Sequence, residues 1–449
     1  MRALLLIAAA SAALGGCASF TGGGEVVRAA ELAPAGATLW TYDLGDPGFA
    51  AYLHAADLGS LDVKTALARA RAADADLHAA RAEGWPELTL GALGARTIPG
   101  RGPVKGATEL DLVGKWTLDL WGEVRAASAA AGAEARAAGL DVQAARAVLA
   151  AEAARTWLSL AAVEDRLARL DDRRIIETDG LAIAERRIAA GRAGRDEALE
   201  RQANLARILD DRRAAEGEAM VIRQRLIALA GPASQAQSAT PAALADLMPF
   251  TPGGLDSADL EKRPDVAAAV ARLEAADARR LSVIRAARPR LTLTAALRGE
   301  DNSLSGLLRS RSLALAPGVR LEGAILDGGR SRARADKAAA ETAASEIGYL
   351  KALVAAESDL ASALALITSA TARQSPANEA VDFTEQRLRL ARARLDAGTA
   401  GRLDAIDAER AVIDAREAQA LTRRALIEAS IGAQAALVGG TTIPSGETR

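Results

Sequence analysis

The sequence predicts a mainly helical protein that carries two pairs of short β-strands and is built as two copies of one plan. Half of the 449 residues are hydrophobic but only 3% are aromatic, and an alanine-rich composition of this kind favours long helices over one thick core. Two stretches of about 65 residues contain almost no proline. The segment AGRAGR at 190–195 returns as AGTAGR at 397–402. These observations indicate a helical fold with an internal repeat.

The charge balance and the scarcity of reactive side chains exclude several classes of function. The 56 basic and 58 acidic residues nearly cancel, so no net field attracts nucleic acid or an anionic membrane. The only histidines are His54 and His78, and the only cysteine is Cys17. We therefore expect no catalytic residue, no metal site and no cofactor.

The N-terminus has the pattern of a targeting segment. Arg2 supplies a positive charge, residues 3–14 are apolar but too short to span a bilayer, and Leu14-Gly15-Gly16-Cys17 follows. This resembles a lipoprotein signal, which implies a signal peptide at 1–16, acylation of Cys17 and a lipid-anchored tether at 17–60. An ordinary secretory signal before an unmodified cysteine stays open. No later stretch is long and apolar enough to predict a transmembrane helix.

Each repeat begins with a pair of strands. In the first repeat, 61–231, strands are predicted at about 86–97 and 107–119, joined by a loop rich in glycine and proline. Alternate residues of the second strand are apolar and those between them are polar, which is the period of a strand. The apolar set is Leu110, Leu112, Trp116 and Leu118. Such a strand suits a lipid-facing barrel wall and equally a half-buried sheet of a soluble protein.

A long helical hairpin follows each strand pair. Helices are predicted at about 123–190 and 195–230 and, in the second repeat, at about 330–397 and 402–437. At 1.5 Å per residue, the longer helix of each hairpin would reach roughly 100 Å. Large apolar residues recur at spacings of three and four, which indicates a coiled-coil seam, whereas the runs of charge indicate solvated faces. Pro376 predicts a kink or an interruption of the second long helix.

The two repeats match in order and spacing. GEVRA at 122–126 falls on GRSRA at 329–333 with the same offset as the hexapeptide, and WPELTL at 85–90 matches RPRLTL at 288–293. The second repeat covers 258–439, with strands at about 290–298 and 312–323. A linker rich in proline, serine and alanine is predicted at 232–257, and a C-terminal tail at 440–449.

One motif connects this plan to a known family. Arg263-Pro264-Asp265 opens an alanine-rich helix that ends at Arg288-Pro289, where a strand begins. Together with the strand pairs, the glycine turns and Cys17, this is similar to the TolC-type outer-membrane efflux family, in the lipoprotein (NodT/OprM-like) branch of RND-type systems. The resemblance implies a homotrimer in which four strands per chain close a 12-stranded outer-membrane β-barrel. A long periplasmic α-helical coiled-coil barrel would continue it.

The same resemblance implies a passive conduit. The chain would be the outer-membrane channel of a tripartite efflux system in a Gram-negative bacterium, working with a periplasmic adaptor (membrane fusion) protein and an inner-membrane pump. Its cargo would be drugs or other small molecules. A channel for protein secretion or metal-ion efflux stays open, as does a non-conducting, lipid-anchored coiled-coil scaffold. The short predicted loops favour small molecules over proteins.

The resemblance also implies where a gate and a docking surface would lie. Asp404 and Asp407 stand six and nine positions after Gly398, where family members carry the carboxylates that ring the periplasmic aperture. Glu197 holds the first equivalent position in the first repeat and is expected to pair with Arg402 or Arg195 across hairpins. The turns that would meet the adaptor contain Arg187, Gly191, Gly194, Arg195, Arg394, Gly398, Gly401 and Arg402. Solvated helix residues and ordinary glycine caps are the respective alternatives.

Overall fold

A computed structural model of the chain describes residues 44–97, 105–231, 240–249, 257–301 and 313–437. The predicted signal peptide, Cys17 and the predicted C-terminal tail lie outside the described residues, as does most of the predicted tether. The described residues therefore belong to the two repeats, the end of the tether and part of the linker.

The described elements follow the same order twice. The first half contains α1 (Pro47–Gly59), α2 (Leu61–Ala82), β1 (Glu87–Thr97), β2 (Lys105–Leu118), α3 (Glu123–Ala189) and α4 (Arg195–Ala230). The second half contains a short 3-10 helix (Ser257–Lys262), α5 (Pro264–Ala286), β3 (Arg290–Asp301), β4 (Leu313–Glu322), α6 (Arg330–Asp396) and α7 (Arg402–Leu437). The long helices α3 and α6 both have 67 residues, and the return helices α4 and α7 both have 36.

The long helices are rich in alanine, leucine, arginine and glutamate, which are strong helix formers. Among the described residues, none of the helices combines the length and the hydropathy needed to span a bilayer. Pro376 lies inside α6, which continues on both sides of it, so the predicted interruption is wrong, whereas a kink at this position stays a prediction. A proline in a helix interior costs about 3 kcal/mol. Beyond the proline, Glu385 and Arg392 of α6 bind Arg416 and Glu409 of α7 at 2.9 and 3.0 Å, so the second part of α6 remains in contact with α7.

The four strands form one antiparallel sheet in the order β1-β2-β3-β4. The two strand pairs, far apart in sequence, are joined because β2 also pairs with β3: Leu112 stands opposite Leu90 on one side and Leu297 on the other. Within the described residues, β1 and β4 each leave one edge unpaired. A sheet with two free edges can add further strands.

The chain divides into two compact units. One unit, here the strand unit, contains the sheet and the described parts of 70–137 and 270–348; the other, the hairpin unit, contains those of 36–69, 138–269 and 349–449. In the hairpin unit, the rings of Phe49 and Tyr52 lie 5.7 and 5.5 Å from that of Trp157. Asp46 accepts a hydrogen bond from Trp157 Nε1 at 2.8 Å. These contacts dock α1 onto α3.

Candidate functional site: the sheet and the hairpin turns

The sheet has one apolar face and one polar face. The register places Leu112 beside Leu90 and Leu297 on one face, whereas Asp111 and Arg298 are paired on the other, with 3.5 Å between Arg298 Nε and Asp111 Oδ1. The apolar face continues onto the outer strands with side chains that are 68 to 73% exposed, namely Leu88, Leu315, Val319 and Leu321. An apolar surface this wide is unfavourable in water and suits contact with lipid.

Three tryptophans lie at the end of the sheet that adjoins the helices. Trp85 precedes β1 and is 75% exposed. Trp116 Nε1 donates to the carbonyl oxygen of Gly84 at 3.0 Å, and Trp121 Nε1 donates to that of Pro289 at 2.7 Å. Amphipathic rings of this kind concentrate where a membrane meets water. The apolar face of the sheet thus ends at an aromatic border.

The two helical hairpins close with the same backbone turn. At the end of α3, the Gly191 N–H donates to the Ile188 carbonyl at 2.9 Å, and the Arg192 N–H donates to the Arg187 carbonyl at 2.8 Å. These two bonds define a Schellman motif, which requires a positive φ that glycine adopts most easily. Gly191 has φ 67°, and Gly398 repeats the turn at the end of α6 with φ 71°.

The return helices begin directly after these turns. Gly194 is the N-cap of α4, whose first residue is Arg195, and Arg402 is the first residue of α7. The backbone N–H of Gly401 donates to Asp404 Oδ2 at 2.9 Å, so this carboxylate caps α7. The residues predicted for docking therefore cluster at the two turns, and Asp404 has a structural contact that its sequence position alone does not predict.

Glu197 has a partner other than the predicted ones. Its Oε1 atom accepts a hydrogen bond from Arg187 Nη1 at 2.8 Å, and the expected pairing with Arg195 or Arg402 across hairpins stays a prediction. The turn brings the last residues of α3 beside the first residues of α4, which makes Arg187 the nearest cation. Arg402 instead lies 3.4 Å from Glu409.

A buried ion-pair network joins the two hairpins near Asp404 and Asp407, the predicted aperture residues. Glu177 of α3, only 4% exposed, contacts Arg201 of α4 at 3.3 Å and also Arg410 of α7. Arg201 in turn lies 3.2 Å from Asp407 Oδ1. Burial alone would lower the pKa of Arg201, but its hydrogen bonds and charge pairing with Glu177 and Asp407 raise that pKa above the ordinary value. Asp407, like Asp404, is exposed.

The sequence interpretation missed Glu177 and Arg201 because it treated charged residues on the long helices as solvated. Glu177 occupies a buried position of the seam. Leu170, one heptad earlier, and Val163, two heptads earlier, occupy the same position and are also buried. Arg201 likewise precedes buried Ile208 by one heptad. Extending the seam through the charged positions would have found both residues.

The Arg263-Pro264-Asp265 motif holds the start of α5 against the end of α7. The guanidinium of Arg263 binds both oxygens of Asp265 at 3.1 and 2.8 Å, and its Nη2 atom lies 3.3 Å from Asp359 of α6. Its Nη1 atom donates to the Ala436 carbonyl at 3.1 Å, which satisfies an orphan acceptor at the C-terminus of α7. Pro264 is the first residue of α5, the position where a missing N–H costs least.

Replacing Asp265 with asparagine should lower stability at neutral pH and matter less in acid. Burial alone would raise the pKa of Asp265, but the hydrogen bonds and charge of Arg263 hold it below its usual value. The carboxylate therefore stabilises the fold above its unfolded pKa of about 4, and this contribution is lost as the pH falls through the lower folded pKa. Since the side chain is 47% exposed, solvent screening limits the effect to about 1 kcal/mol.

Thermal unfolding at pH 7 and pH 3 measures this contribution as the difference in unfolding temperature between wild type and Asp265→Asn. The matched control is Asp382→Asn on α6, which removes an exposed carboxylate that makes no ion pair among the described residues. An equal difference at both pH values would contradict a stabilising role for the ionised Asp265 carboxylate.

Within the described residues, no group of His, Cys, Asp and Glu side chains has the geometry of a metal site. His78 lies 3.5 Å from Asp74, one turn earlier on α2, and both side chains are more than 60% exposed. This pair has the character of a solvated surface contact.

Comparison with known proteins explains this combination of sheet and hairpins. The sequence model of the family described as "outer membrane efflux protein" matches residues 52–232 and 256–439. The chain belongs to this family. It is an outer-membrane efflux channel of the Gram-negative type, not an enzyme. The predicted fold class, mainly helical with a small membrane sheet, is confirmed.

Relatives cover most of the chain. The pyoverdine export outer membrane protein OpmQ of Pseudomonas aeruginosa is 29% identical over 417 residues, which span 89% of this chain and 87% of that protein. The outer membrane protein OprJ of the same organism is 29% identical over 383 residues, or 82% of this chain and 77% of that protein.

Solved structures share the fold. The outer-membrane channel OprN superimposes with a TM-score of 0.78 and 25% identity, covering 90% of this chain and 92% of OprN. VceC from Vibrio cholerae has a TM-score of 0.77 and 23% identity, covering 88% of this chain and 97% of VceC.

Proposed function

We propose that three copies of the chain form one channel across the outer membrane. The observation that carries this proposal is the sheet, which has an exposed apolar face and two edges that are free in the described structure. Four strands are too few to close a membrane barrel, and lipid does not tolerate open edges. The β1 strand of one copy therefore pairs with the β4 strand of the next. Three copies supply 12 strands, whose polar faces line a water-filled bore.

The helical hairpins extend the bore into the periplasm. Trp85, Trp116 and Trp121 mark the periplasmic border of the membrane, beyond which the helices begin. The acylated Cys17 anchors each N-terminus to the same membrane.

The aperture lies at the hairpin turns and is acidic. Asp404 and Asp407 are exposed on the first turns of α7, so three copies place two levels of carboxylates around the bore, where they attract cations and repel anions. The Glu177 network ties α7 to α3 and α4 at the same level and holds the aperture narrow. Glu197, paired with Arg187, supports the other hairpin.

The turns are the docking surface for a periplasmic adaptor, through which an inner-membrane pump delivers cargo. Each turn exposes a glycine pair and flanking arginines, a small rigid tip that another helical hairpin can approach closely. The cargo is a small organic molecule, in line with the relative that is named for pyoverdine export. Loading the channel through the adaptor makes this a tripartite system.

Conductance in planar lipid bilayers tests the proposal. The purified protein should have the mass of three chains, each with a lipidated Cys17, by native mass spectrometry. It should insert as small, cation-selective channels. A trimer of the expected mass that never conducts would contradict the channel and favour a lipid-anchored scaffold instead.

A further inference from the structure

A groove in the hairpin unit runs between α3, α6 and α7 and encloses about 700 Å³. Its floor consists of small side chains from all three helices, including Ala147, Ala151, Ala363, Ala429 and Gly432. A volume of this size matches sites that hold small molecules, which range from about 300 to 1,000 Å³. The groove is therefore large enough for a cargo molecule and lined mainly by apolar atoms.

The two ends of the groove differ in charge. Toward the turns lie Arg155 of α3 and Arg373 of α6, whose side chains are exposed and make no ion pair or hydrogen bond within the described structure. Glu428 of α7 and Glu152 of α3 line the same groove. Glu152 is bound by Arg225, whereas Glu428 is exposed, so Arg155, Arg373 and Glu428 together carry one net positive charge. At the opposite end, Arg263 is already bound by two carboxylates. The cations available to a ligand are thus Arg155 and Arg373.

The opposite side of α7 is covered by the linker. Arg423 donates to the carbonyl oxygens of Leu244 and Leu247 at 3.0 and 2.8 Å. Arg416 and Gln419 lie on the same side of α7, where they line a smaller cavity with Leu244. The linker therefore packs against this side of the helix.

The groove lies on the other side of α7. Successive residues of a helix are about 100° apart, which places Glu428, Gly432 and Ala436 roughly opposite the linker side. Within the described structure, no segment covers the groove. The side chains of Val148 and Leu366, which line it, are 69% and 60% exposed. We therefore place this face, which the linker leaves free, on the bore of the proposed trimer.

We propose that this groove is a binding site in the channel wall for amphiphilic organic anions. The apolar body of the ligand lies on the alanine floor, and its anionic group binds Arg155 and Arg373 through charge-assisted hydrogen bonds. The placement on the bore rests on the proposed function. The carboxylates of the aperture repel anions. A site of this kind binds an anionic cargo molecule after it has passed the aperture.

Block of single channels by naphthalene-1-sulfonate tests the site. This anion has the flat apolar body and the single charge that the groove accommodates. It should interrupt the wild-type current, and Arg155→Gln/Arg373→Gln should shorten the blocked intervals about tenfold, as expected for the loss of hydrogen bonds to a charged group. The matched control is Arg213→Gln, which removes an exposed arginine of α4 that makes no ion pair among the described residues and does not line the groove.

A second variant fills the groove without removing charge. Gly432 lies on its floor, and a Cβ atom added there meets no other atom within 4 Å. Gly432→Leu should therefore place its side chain in the groove, keep the helix and abolish the long blocks. Gly217→Leu is the matched control, because a Cβ atom at Gly217 of α4 also meets nothing within 4 Å but lies outside the groove.

Calorimetric titration of naphthalene-1-sulfonate into the purified trimer separates this inference from the proposed function. Binding to wild type that is weakened about tenfold by Arg155→Gln/Arg373→Gln supports the site even if the protein does not conduct. Channels that conduct but are blocked equally in wild type and both groove variants would overturn the inference and leave the channel standing. An equal loss in the Arg213→Gln control would also overturn it, because the effect would then reflect total charge alone.

Discussion

Arg201→Ala/Arg410→Ala should widen the aperture and lower the thermal stability of the protein. The two substitutions leave Glu177, which is only 4% exposed, with neither of its cationic partners. Leaving one buried charge uncompensated costs about 3–5 kcal/mol. The chain can avoid this cost by separating α7 from α3 and α4 so that water reaches Glu177. We therefore expect a several-fold larger single-channel conductance and a lower unfolding temperature by far-ultraviolet circular dichroism.

Two further variants test this explanation. Arg213→Ala/Arg387→Ala removes two exposed arginines that make no ion pair in the described part of the chain, and it should leave conductance and unfolding temperature close to wild type. Adding Glu177→Gln to the Arg201 and Arg410 variant removes the uncompensated charge and should restore much of the stability. A network variant that behaves like the control would show that these ion pairs do not hold the hairpins together.

Asp404→Asn/Asp407→Asn should abolish most of the cation selectivity of the channel while the fold remains intact. Asparagine keeps an oxygen that can accept the Gly401 N–H, so the cap of α7 survives the loss of charge. Asp407 is 52% exposed, and its pairing with Arg201 is therefore worth at most about 1 kcal/mol. The reversal potential in a salt gradient should move toward zero by most of its wild-type value.

The matched control removes the same number of carboxylates elsewhere. Asp210→Asn/Asp382→Asn neutralises two exposed residues of α4 and α6 that make no ion pair among the described residues, and the reversal potential should stay near that of wild type. If the Asp404 and Asp407 variant conducts with unchanged selectivity, the channel stands but the acidic aperture lies elsewhere.

Much of the fold can be predicted from local patterns in the sequence. The lengths of α3 and α6 reflect proline-poor, alanine-rich stretches, because helix propensity acts over neighbouring residues. The turns at Gly191 and Gly398 can be predicted because a Schellman motif needs a positive φ, which glycine adopts easily. The strands can also be predicted locally, because they are indicated by the alternation of apolar and polar residues. Pro376 does not interrupt α6, although the sequence allowed an interruption there, and α6 still contacts α7 beyond it.

The candidate site was less predictable. Resemblance to a family located Asp404 and Asp407, and no local pattern distinguishes them from other acidic residues near a helix start. The contact of Glu197 with Arg187 was not predicted, because the sequence does not reveal which of several nearby arginines the turn brings close to it. The groove beside Arg155 and Arg373 has no linear signature, since its walls come from three separate helices.

The sequence by itself determined the long and return helices, the strands, the turns and their duplication, because each depends on residues within a few positions of one another. Only the tertiary structure decided that Glu177 is enclosed by Arg201 and Arg410, and that β2 joins the two strand pairs through β3. These contacts link residues far apart along the chain. Their partners depend on the register of whole helices and strands against one another, and that register is settled only when all of the elements pack together.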